Sequence, residues 1–118
     1  MNDETGAPGK TTIAPEVLTT IARLTTLSVE GVSRMCAVPV SVNRLFSRGI
    51  DEGVRIDVQN DTVYADLFII LKNGVNIREV SRSVQTQVAR AISEMVGMQV
   101  GRVNIHIEDI DYPQEAET

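Results

Sequence analysis

Between residues 54 and 72 the chain alternates apolar and polar side chains, VRIDVQ and then TVYADLFIILK on either side of Asn60-Asp61. A period of two marks a strand with one buried face. Asn and Asp tolerate the positive φ that a two-residue hairpin turn requires. Closing the hairpin there pairs Gln59 with Thr62, Val58 with Val63, Ile56 with Ala65 and Val54 with Leu67. Every apolar partner then falls on one face. Asp57 lies across from Tyr64 on the other, and Arg55 across from Asp66, an opposite-charge pair. A slip of one residue would undo both results.

Two segments switch to helical spacing. Pro15-Glu16 opens the first, because Pro fits the first helical position and Glu suits the positive end of the dipole. This helix is expected over about Pro15 to Val29, with Val17, Leu18, Ile21, Leu24 and Leu27 as its apolar stripe and Gly31 where it stops. The second is expected from Asn76, as N-cap, to about Val96, with Glu79 three residues on and Gly97 closing it. Its stripe is Ile77, Val80, Val84, Val88, Ala91 and Met95, and Arg78, Arg82 and Arg90 point away. Shorter strands are expected at Lys10 to Ala14, at Val32 to Val38, and at Val100 to Ile107 with Val103, Ile105 and Ile107 facing in. Residues 39–53 read as a loop with a short helical turn.

These elements predict an α+β fold, two helices packed on one face of a small mixed sheet in the order β-α-β-β-β-α-β. Residues 1–9 read as a flexible leader, 10–111 as a single domain and 112–118 as an acidic disordered tail. A length of 118 residues suits one domain, and a hydrophobic content of 42% supplies its core without disulfides or a structural metal.

Charge changes the picture only locally. The net charge of -5 comes from the ends: Asp3 and Glu4 lie before residue 11, and Glu108, Asp109, Asp111, Glu115 and Glu117 lie after 107. The body between is balanced. Cys36 is the only cysteine, which excludes an internal disulfide and a cysteine-based metal cluster, and it reads as a small buried hydrophobe. No apolar run reaches membrane-spanning length, so direct membrane insertion is not expected and the expected location is the cytoplasm.

The tripeptide Gly9-Lys10-Thr11 tempts a nucleotide reading. A phosphate-binding loop requires Gly, four residues, then Gly-Lys-Ser/Thr, and the required upstream position holds Glu4. Gly6 is too close, and no strand precedes it. His106, the only histidine, excludes a multi-histidine metal site and reads as a surface residue. Ser28, Ser33, Ser41 and Thr25 have no evident base partner, and Asp51-Glu52 and Glu108-Asp109 read as solvated charge. No catalytic residue, cofactor or metal is therefore expected. An RNA-binding loop of the Gly-x-x-Gly kind is absent, since Gly49 and Gly53 are four apart, as are Gly97 and Gly101. Arg34, Arg44 and Arg48, or the arginines of the second helix, leave a small RNA-binding module as the alternative reading. A small-molecule sensor would show itself as an enclosed pocket between sheet and helices.

The stretch GKTTIAPEVLTTIARLTTLSVEGV resembles the opening of the alkaline-shock protein family, the small general-stress and envelope-stress proteins of Gram-positive bacteria. The hairpin, the Val-rich helix after it, and the ending Gly97, Val100, Val103, Asn104, Ile105, Ile107 are similar to that family's second signature. The resemblance spans about residues 9–112. It implies a non-enzymatic cytoplasmic scaffold or adaptor linked to cell-envelope homeostasis, acting through protein contacts and self-association. Some members are held beneath the membrane by a membrane-anchored relative, which implies a protein partner of that kind and a homo-oligomer. The expected partner surface comprises Phe68 and Ile70, beyond the end of the shorter hairpin strand, with Arg44, Phe46 and Arg48. A loop at residues 39–50 packed over Phe68 and Ile70 is the competing expectation.

Overall fold

The computed structural model describes residues 12–38 and 50–112. The first element is helix α1, Pro15–Ser28. Ala14 offers its N-terminus no side-chain cap, so Pro15, which has no N–H to satisfy, and Glu16 in the first turn make the start. Strand β1 follows at Val32–Met35 and strand β2 at Ile50–Asp51. Strands β3, Val54–Gln59, and β4, Thr62–Lys72, form the hairpin. Its register is the one expected, from Gln59 opposite Thr62 to Arg55 opposite Asp66 and Val54 opposite Leu67. Asn60 and Asp61 both adopt positive φ, 52° and 62°.

Helix α2 runs Ile77–Val96 and strand β5 runs Gln99–Asp111. Asn76 caps α2 as expected: its Oδ1 accepts from the Glu79 N–H at 3.0 Å, and Gly97 ends the helix in the left-handed conformation.

The sheet is built on β4. One side of β4 pairs with β5 in parallel along its whole length. The other side is shared by two antiparallel partners, β3 from Thr62 to Leu67 and β1 from Ile69 to Leu71, with β2 outside β3. A parallel neighbour requires a crossover, and α2 supplies it. Both described helices lie on one face, where Leu18 and Ala22 of α1 and Val80, Val84, Val88 and Ile92 of α2 join Val54, Ile56, Val63, Ala65, Leu67, Ile69, Leu71 and Val103 in one core. The fold is thus the expected α+β layering.

Several expectations are corrected in detail. Residues 12–14 form no strand ahead of α1, while β2 adds a short one that the loop reading of 39–53 did not include. β1 stops at Met35, and β5 extends to Asp111, beyond the expected end at Ile107. The helical stripes are also shifted, with consequences taken up below.

Gly53 holds a crowded corner. Its φ is +85°, and a Cβ there would lie 2.6 Å from the Cys36 carbonyl oxygen and 2.9 Å from that of Phe68. Phe68 N–H donates to Gly53 O and Cys36 N–H donates to Phe68 O, each at 2.8 Å. Only glycine permits the β2–β3 turn to press this closely on β4 and the chain leaving β1.

Candidate functional site

Alternation along β3, β4 and β5 sends Arg55, Asp66, Asn104 and His106 to the face of the sheet opposite the described helices. Asp66 is the hub. It is 8% exposed, it forms an ion pair with Arg55, and its Oδ1 lies 3.1 Å from Asn104 Nδ2 and 3.0 Å from His106 Nε2. Burial, the largest influence on this carboxyl, would raise its pKa. Hydrogen bonds from His106 and Asn104 and the charge of Arg55 outweigh it and hold Asp66 below its ordinary value. His106 also stacks on Phe68, ring centroids 4.3 Å apart and planes 10° from parallel.

A second polar knot lies where the ends of β1 and β5 approach each other. Ser33 Oγ donates to Asp111 Oδ2 at 2.5 Å, and Arg34 grips both carboxylate oxygens at 3.1 and 3.2 Å. The Arg34 and Ser33 hydrogen bonds lower the pKa of Asp111, and the bond to Asp111 raises that of Arg34.

The histidine, the serine and the carboxylates of this face therefore spend their hydrogen bonds on one another. Among the described residues, no group of three His, Cys, Asp or Glu could hold a metal ion. The Asp66 knot fastens β3, β4 and β5 together, and the Asp111 knot fastens β1 to β5.

The helix layer has the opposite character. α1 buries Leu18, Thr19, Ala22 and Thr26, and leaves Val17, Leu24 and Leu27 exposed at 44%, 56% and 40%. The expected stripe is therefore wrong in three of its five members. The small residues face inward because they let α1 approach the sheet and α2 closely. Their hydroxyls cost little to bury, since Thr19 Oγ1 donates to Glu16 O at 3.0 Å and Thr26 Oγ1 to Ala22 O at 2.7 Å. In α2, Ile92 takes an inward place, while Ile77 and Met95 are exposed at 48% and 69%. Apart from Tyr112, just past β5, every exposed large apolar side chain among the described residues lies on the two helices.

The residues expected to meet a partner fare differently. Phe68 and Ile70 are buried within the chain, 3% and 4% exposed, so neither offers a free surface. Arg44, Phe46 and Arg48 lie outside the described residues. Arg34 is committed to Asp111, and Arg82 and Arg90 share a shallow groove with Glu79 and Glu94, so the basic side chains of α2 form no continuous cationic patch. Cys36 is half-buried and free of disulfide. A cleft does lie between sheet and helices, lined by Pro15, Leu18, Ile56, Val58, Val96 and Met98, and it opens to solvent at the end where α1 begins and α2 ends.

A family model described as having a cell envelope-related function matches residues 3–112. The chain belongs to the alkaline-shock protein 23 family. Among relatives within it, the uncharacterized protein YqhY of Bacillus subtilis is 32% identical over 120 residues, covering 99% of this chain and 88% of that protein. The uncharacterized protein Spy1535 of Streptococcus pyogenes is 31% identical over 103 residues, covering 86% of this chain and 79% of that protein. A variant of the MamM CTD shares the fold at a TM-score of 0.55 and 14% identity, covering 80% of this chain and 95% of that one. No described helix is long and apolar enough to cross a membrane.

Proposed function

We propose that this alkaline-shock protein 23 family member is a non-enzymatic scaffold or adaptor serving the cell envelope, acting in the cytoplasm through protein contacts and self-association. The observation that carries this reading is the asymmetry between its faces. On the sheet face the polar side chains bond to one another and the apolar Phe68 and Ile70 are buried, whereas the helix layer presents Val17, Leu24, Leu27, Ile77 and Met95 to solvent. Apolar side chains clustered on one surface mark protein-interaction sites. The outward surface of α1 is also sparsely charged: Glu16, exposed in the first turn, and Arg23 are the only charged residues of the helix, and Arg23 lies 4.0 Å from Glu52 on its flank. An apolar ridge with one cationic residue, engaged near Glu52, suits a protein partner, such as a membrane-anchored relative, better than it suits nucleic-acid phosphate.

Leu24→Glu tests this. The side chain is exposed, so the variant is expected to fold as the wild type by circular dichroism. It should fail to restore envelope-stress tolerance to a strain lacking the gene, and should no longer co-purify with membrane-fraction proteins. Full complementation by Leu24→Glu, with partners retained, would overturn the assignment of the ridge.

A further inference from the structure

Strand β5 has one side without a strand partner among the described residues. β4 pairs with it along one edge, and no described strand pairs with the other. Such an edge presents main-chain N–H and C=O groups that template another strand. Gln85 Nε2 of α2 donates to the Val103 carbonyl at 3.1 Å, and Asp109 Oδ1 accepts from Ile110 N–H at 2.7 Å, so two points of β5 are already met by side chains. The Val103 carbonyl thus turns away from β4. Residues two apart share that direction, so Ile105 and Ile107 also aim their main-chain groups outward.

The sequence of this edge is self-complementary about Ile105. In an antiparallel pair of two copies with a two-fold axis beside Ile105, Val103 meets the partner's Ile107, Asn104 meets the partner's His106, and Arg102 meets the partner's Glu108. The apolar residues all fall on the helix side and continue the core across the joint. The polar ones fall on the opposite face. Arg102 and Glu108 are exposed, and neither makes an ion pair among the described residues. Joined in this register they make two opposite-charge pairs related by the axis.

We infer that the β5 edge from Arg102 to Glu108 is a homodimer interface, in which a second copy adds its own β5 antiparallel and the two sheets become one. The palindromic order Arg-Val-Asn-Ile-His-Ile-Glu selects a second copy over an unrelated extended peptide, because only that partner supplies both charge pairs at once. The outward groups of Val103, Ile105 and Ile107 supply about four uncommitted main-chain hydrogen bonds across the axis, and about two more where the Val103 carbonyl of each copy, which already accepts from Gln85, accepts a second bond. The inference rests on the self-association reading above and names its surface.

Sedimentation velocity of the full chain over a concentration series at low salt tests it, with wild type, Arg102→Glu, Glu108→Arg and the double swap. Circular dichroism verifies that each remains folded. Each single change turns two attractive cross-strand pairs repulsive, and is expected to weaken the dimer roughly 10- to 100-fold. The double swap recreates both pairs and should return the dimer to within a few-fold of wild type. A wild type that stays monomeric at hundreds of micromolar, single swaps without effect, or a double swap that fails to restore would each overturn the interface. Leu24→Glu should leave the dimer unchanged. A chain that loses its partners with Leu24→Glu yet never dimerises therefore keeps the adaptor reading and loses only the β5 edge.

Discussion

Replacing Asp66 by Ala removes the acceptor that Arg55, Asn104 and His106 share. The side chains of Asp66 and Arg55 are only 11% and 16% exposed, so solvent cannot replace the lost partner. Breaking a buried pair from one side costs about 3–5 kcal/mol, because the other charge is left uncompensated. For a domain of this size that is a fall in melting temperature of roughly 10–20 °C. Thermal and urea unfolding followed by circular dichroism measures it. Replacing both charges with apolar residues, Arg55→Met with Asp66→Leu, should cost less than Asp66→Ala alone, since no buried charge then remains. The loss should also depend on pH in a set direction. The folded-state pKa of Asp66 lies below its ordinary value, so its stabilisation is complete above about pH 4 and fades as pH falls through the folded value. The gap between wild type and Asp66→Ala should narrow with acidification below about pH 4. A loss under about 1 kcal/mol at neutral pH, or a gap that widens in acid, would refute the view of Asp66 as a buried electrostatic hub.

Other outcomes follow from the same structure. Gly53→Ala forces a Cβ to within 2.6 Å of a carbonyl oxygen and should destabilise by about 3 kcal/mol or more in urea unfolding. Ile92→Ala, in the core, should cost about 2–4 kcal/mol, whereas Leu24→Ala on the ridge should stay within about 0.5 kcal/mol. Asn76→Ala, which removes the cap on α2, should cost about 1 kcal/mol in the same assay. A Cβ at Gly101 would lie 2.6 Å from the Tyr64 ring, so Gly101→Ala should displace that ring and shift its NMR resonances while the hairpin resonances of β3 hold.

How far the sequence reached is clearest on β4. Its alternation with β3, and the turn chemistry of Asn60-Asp61, were enough to place Arg55 against Asp66 before any fold was known. Both are local constraints, acting between neighbours a few residues apart. The Asn104 and His106 contacts to Asp66 were out of reach, because no local pattern tells which strand will lie beside β4. That pairing depends on how α2 carries the chain back across the sheet. The helix caps at Asn76 and Gly97 were legible for the same reason as the hairpin.

The ridge on α1 shows the limit from the other side. Leu18, Ala22 and Thr26 recur at helical spacing just as Val17, Ile21 and Leu24 do, and hydrophobicity favoured the larger side chains, which kept Leu18 in the expected stripe but left Ala22 and Thr26 out of it. Packing chose the smaller one, since α1 must approach both α2 and the sheet, and its threonines can satisfy their hydroxyls on their own helix. Phe68 and Ile70 likewise looked spare beyond the end of β3 and are buried in the tertiary structure. Local order along the chain, strand against neighbouring strand and cap against helix, was determined by the sequence through short-range sterics and hydrogen bonding. Which apolar face met the core, and which remained for a partner, was decided only when distant elements competed for the same space.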